Sequence, residues 1–92
     1  MDLTLKLLAP VTVDGEKIES LTLRELTVDE NIALQKSHGE KPAIEQDKYF
    51  FALTCGVSPN AIGNLKQRDW NRLRLKFADT LGNVEPESES SE

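Results

Sequence analysis

The segment Leu3-Thr-Leu-Lys-Leu alternates apolar and polar side chains, the period of a strand with one buried face. A second alternation, Ser20-Leu-Thr-Leu-Arg24, follows, with Ile18 just ahead of it. Between them Asp14-Gly15 is a turn signal, because glycine takes positive φ without steric cost. The pattern predicts a β-hairpin over about residues 3–24, with Leu3, Leu5, Leu7, Leu21 and Leu23 on one face. A two-stranded hairpin is marginal in water, so that leucine face needs cover from helices or from another chain.

Helical signals then take over. Thr27-Val-Asp-Glu30 has the form of a capping box, and Asp29 and Glu30 suit the positive end of a helix dipole. The expected helix spans about 28–37 and stops at Gly39; its apolar face is thin, mainly Val28 and Ile32. Pro42 fits the first turn of a second helix over about 42–55, ending before Gly56. Ile44, Tyr49, Phe50, Phe51, Ala52 and Leu53 occupy several of its sides, which marks it as the central helix. Ser58-Pro59 opens a short helix over about 59–65, and a last one runs over about 69–81. At 100° per residue Trp70, Leu73, Phe77, Ala78 and Leu81 form one stripe on that helix. Arg74 falls inside the stripe, where its aliphatic stem would cover core while the guanidinium reaches water or an acid. The expectation is one α+β domain over 1–82, an N-terminal β-hairpin packed against three to four helices. Residues 83–92 hold one apolar residue, Val84, and read as a disordered acidic tail.

Composition sets limits on this picture. Ninety-two residues, 38% of them apolar, support one modest core and leave little room for a deep substrate cavity. The net charge of −5 is unevenly spread. Residues 1–47 hold ten acids against five bases, residues 48–82 six bases against two acids, and the tail four glutamates. An acidic chain is poorly suited to indiscriminate nucleic-acid binding, which depends on neutralising phosphates. Cys55 is the only cysteine, which suits a reducing compartment. Residues 1–10 lack the basic start and apolar run of a signal peptide, and no segment is apolar for long enough to span a membrane. The cytoplasm is the expected location.

Candidate chemistry is sparse. His38 and Cys55 are the only residues that could begin a nucleophilic pair, and no further motif supports one. No Cys/His set has zinc spacing, the acids around Asp14 lack a calcium-loop pattern, and the glycines are scattered. No catalytic, cofactor-binding or metal-binding residue is therefore expected. Arg68, Arg72 and Lys76 form a basic row at i, i+4 and i+8 on the last helix, opposite the apolar stripe, with Leu75 beside it. This is either a solvated face or a docking surface for an acidic partner. Residues 58–81 also have the outline of a helix-turn-helix, but Trp70 at the head of the second helix belongs to a core, not to a base-reading turn.

The order of these motifs resembles the Mu-like tail assembly chaperone family of contractile-tailed phages. The resemblance rests on the leucine-rich strand, Asp14-Gly15-Glu16-Lys17, and Ile18-Glu-Ser-Leu-Thr-Leu-Arg-Glu-Leu-Thr-Val-Asp-Glu30. It continues with Ala52-Leu-Thr-Cys-Gly-Val-Ser-Pro-Asn-Ala-Ile62, Leu65 and Asp69-Trp70, covering roughly residues 3–82. Cys55 ahead of the glycine, and Ser58 where proline is frequent, depart from the family pattern. The resemblance implies a cytoplasmic, non-enzymatic protein of a phage or prophage. Its partner would be the helical tape measure protein, kept soluble until tail tube subunits polymerise around it. Many such proteins come in two forms, so a longer frameshifted form of the chain is a second implied partner; nucleic acid and membrane are not. A helix-turn-helix regulator and a structural tail component are the alternatives.

Overall fold

A computed structural model describes residues 3–81, and the expected acidic tail lies outside them. Strands β1 (Thr4–Val13) and β2 (Glu16–Thr22) form an antiparallel hairpin, followed by helices α1 (Val28–His38), α2 (Ala43–Cys55), α3 (Pro59–Gly63) and α4 (Gln67–Thr80). The α+β architecture is the one the alternating and helical periods predict.

Asp14 and Gly15 close the hairpin with φ of 55° and 79°, the positive pair that two-residue hairpin loops favour. Near the open end Leu5 faces Leu21, and near the turn Val11 faces Ile18. Between these pairs Leu7–Pro10 stands opposite Glu19 alone, so β1 bulges. Proline has no N–H to give a ladder, which fits Pro10 to this break. The excess on β1 is an odd number of residues. The even-numbered Ile18 therefore shares a face with Val11, while the odd-numbered Leu21 pairs with Leu5. β1 thus runs well past the Leu3–Leu7 alternation. Leu5, Leu7, Val11, Leu21 and Leu23 are buried and Leu3 is half-buried.

The helices cover this face. Phe51, Ala52, Ile62, Trp70 and Leu73 join the hairpin leucines in one core. Phe50, Phe51, Phe77 and Trp70 meet edge to face, with ring centroids 5.1–5.5 Å apart, and tie α2 to α4. Gly56 ends α2 in the left-handed conformation, φ 68°, where a Cβ would be strained. Ser58 caps α3 through an acceptor bond from the Ala61 N–H, and Pro59 takes the first helical position. α4 begins at Gln67, two residues ahead of its expected start.

α1 departs most from expectation. Its capping box is present: the Thr27 hydroxyl accepts from the Glu30 N–H at 3.1 Å, and Glu30 accepts from the Thr27 N–H at 2.9 Å. Glu30 also receives both terminal nitrogens of Arg24, at 3.0 and 2.8 Å. The Arg24 bond, then the Thr27 N–H, hold the Glu30 carboxyl down at about 2. Yet Val28 and Ile32 are 75% and 47% exposed, and no α1 residue is buried. The helix turns Leu34 and His38 inward instead, and the His38 ring stacks on Tyr49 with centroids 3.8 Å apart. Gly39 ends α1 in a right-handed conformation, φ −65°, not the left-handed one common at helix stops.

Two consequences are measurable. Thr54 is buried, and its hydroxyl has no partner among the described residues. Thr54→Val should therefore be neutral or stabilising by up to about 1 kcal/mol in urea unfolding, since it removes an unpaired buried polar group at nearly constant shape. Glu30 has a depressed folded value, so its contribution is complete above its ordinary 4.5 and fades as pH falls toward about 2. NMR shifts of Thr27 and Arg24 should move together over that window, ahead of core resonances.

Candidate functional site

The basic row lies on α4, and the rotation of that helix decides what the row presents. Asp69, in the first turn of α4, is 1% exposed. Its two carboxylate oxygens accept the N–H groups of Leu8 at 3.1 Å and Ala9 at 3.0 Å, the amides that the β1 bulge withdraws from the ladder. Arg72 donates through one Nη to Asp69 at 2.7 Å and to the Lys6 carbonyl at 3.0 Å. These five residues form a clasp between α4 and β1. Desolvation pushes the Asp69 carboxyl up, but the Ala9 and Leu8 amides and Arg72 outweigh it and hold the group below its ordinary value.

The clasp rotates α4 toward Asp69. Trp70 and Leu73 are buried and Phe77 and Leu81 half-buried, as the stripe predicts. Arg74 and Ala78, on the far edge of that stripe, are exposed, so Arg74 does not cover the core. Of the residues singled out for docking, Arg68 and Leu75 are exposed. Arg72 is half-buried in the clasp, and Lys76 sits half-buried at the core margin rather than opposite it. The row is therefore divided: Arg72 is an internal tie, and the outward cations are Arg68 and Arg74. Asp69 is what the sequence reading missed. Its signal was the pairing of an i, i+3 acid and base with a strand interrupted by proline.

Other features have less chemistry to offer. His38 packs on Tyr49, with Lys41 and Lys48 nitrogens 5.9 and 5.3 Å from the tyrosine ring centroid. Burial pushes the Cys55 thiol up to about 12, so it stays protonated and a poor nucleophile. Among the described residues no group of three or more His, Cys, Asp or Glu is placed to hold a metal ion. A groove of about 460 Å³ runs between α1 and α2, lined by Leu34, Tyr49, Leu53 and Val57 with Arg24 at its side. The opening of α4 packs on β1 through Asp69, unlike a recognition helix that presents its first turn to a groove. No helix of the described residues is long and apolar enough to cross a membrane.

The chain is thus a small hairpin-and-helix domain that leaves apolar side chains exposed on its helices. Residues 4–82 match the profile of the family described as phage tail assembly chaperone proteins, E, or 41 or 14, and the chain belongs to that family. No curated protein and no solved structure matches it.

The clasp can be tested directly. Asp69→Ala leaves two strand amides and Arg72 without their acceptor and should cost about 3 kcal/mol in urea unfolding at neutral pH. Arg72→Ala, at a third-exposed position, should cost about 1 kcal/mol. With its folded value lowered, Asp69 contributes fully above the ordinary carboxylate range and loses that contribution as pH falls below it. The gap between wild type and Asp69→Ala should accordingly narrow in acid.

Proposed function

We propose that the chain is a non-enzymatic chaperone that binds the tape measure protein in the bacterial cytoplasm and keeps it soluble before tail tube polymerisation. The family match over residues 4–82 carries this reading. Physical support comes from Val28, Ile32, Leu53 and Leu75, large apolar side chains left exposed on three helices of a highly charged chain. A tape measure protein is long and helical and, left bare, self-associates through its apolar faces. A binder with exposed side chains on several helices shields such a client, and the chain's net negative charge keeps the complex dispersed. The inert thiol of Cys55 and the stacked ring of His38 fit binding rather than catalysis.

The test is co-expression with the tape measure protein of the same phage or prophage. The soluble fraction of the client should rise several-fold over expression alone, and the chain should co-purify with it. An unchanged soluble fraction with no co-purification would refute the reading. Recovery of the chain in purified particles would make it a tail component instead.

A further inference from the structure

The outward side of α4 carries a seam that the fold does not use. Arg68, Asn71, Leu75 and Ala78 follow at intervals of three and four residues, so they line one side of the helix. All four are exposed, and Leu75 is 65% exposed. Asn71 and Ala78, roughly one turn to either side, are short; Asn71 is also held by a bond from Gln67 at 3.2 Å. A second helix laid along this seam can therefore come close, with Leu75 as the knob that enters it.

Charge states what kind of helix fits. α4 carries Arg68, Arg72, Arg74 and Lys76 against Asp69 and Asp79, and Asp69 and Arg72 neutralise one another in the clasp. With Lys76 at the core margin, the outward side carries Arg68 and Arg74 against the exposed Asp79, a net positive surface on a chain of net charge −5. Neither Arg68 nor Arg74 forms an ion pair among the described residues. The apolar pair on α1, Val28 and Ile32, is larger, but Asp29 and Lys36 beside it have opposite signs and specify no partner charge.

We propose that the α4 seam docks one amphipathic helix of the client, whose apolar stripe covers Leu75 and whose bordering acids meet Arg68 and Arg74. The proposal rests on the client reading above and names the surface and the chemistry it selects. One leucine between two arginines makes a small, salt-sensitive interface. Such an interface releases readily, as a client passed on to assembly requires.

The experiment is pull-down of the co-expressed tape measure protein by the full chain over a salt series. Leu75→Asp, the double variant Arg68→Glu/Arg74→Glu, and the α1 variant Val28→Asp/Ile32→Asp are compared with wild type. All these positions are exposed, so the variants should keep the wild-type circular dichroism and Tm. The expected result is wild-type capture that weakens as salt rises, and a roughly tenfold or greater loss in each α4 variant that exceeds the loss in the α1 variant. Capture undiminished in both α4 variants overturns the seam and leaves the client reading standing. Loss in the α1 variant alone does the same and moves docking to α1. If wild type captures nothing, both readings fall together.

Discussion

Two strand amides that lose their ladder must find an acceptor, and Asp69 supplies it. The β1 bulge around Pro10 turns the Leu8 and Ala9 N–H groups away from β2, and a buried carboxylate on α4 receives both. Burying that carboxylate is costly, and the cost is offset only because amides and a guanidinium surround it. The position of α4 along and around its own axis follows. With Asp69 held against β1, Trp70 and Leu73 enter the core, Arg72 closes the clasp and Leu75 points outward. A polar requirement of the hairpin thus selects which side chains of the helix are left for partners.

The apolar contacts supply the larger stabilisation but are less selective. Leucines of the hairpin and aromatic rings of α2 and α4 would tolerate modest shifts in helix rotation, since dispersion and burial are weakly directional. The clasp removes that freedom. For a member of the tail assembly chaperone family this division matters, because a domain of this size has few apolar residues to spare. Those left exposed on α1, α2 and α4 lie outside the apolar core.

The hairpin, its turn and the capping residues Thr27 and Ser58 were legible in the sequence because each depends on neighbours within a few positions. The leucine face was legible for the same reason, up to Leu7. What followed was hidden by the bulge. An odd insertion exchanges which residues face inward, and no local period announces it. Arg74 and Ala78 were assigned to the core stripe because an ideal helical wheel weighs apolar residues alone. The buried acid at position 69 rotates the true face away from them. For α1, Val28 and Ile32 were the obvious apolar residues, yet the helix is placed by Arg24, Tyr49 and Leu34, partners distant or unremarkable in sequence. Of the docking residues, Arg68 and Leu75 stand exposed, while the internal engagement of Arg72 could be seen only once β1 was in place.

The attachment of α1 has an evolutionary corollary. A helix with no buried side chain, joined by an arginine–glutamate pair at one end and a ring stack at the other, can change most of its residues without disturbing the interior. Substitutions there escape the purifying pressure that acts on packed positions. α1 is therefore the part of this scaffold that can accept sequence change at least cost to its stability.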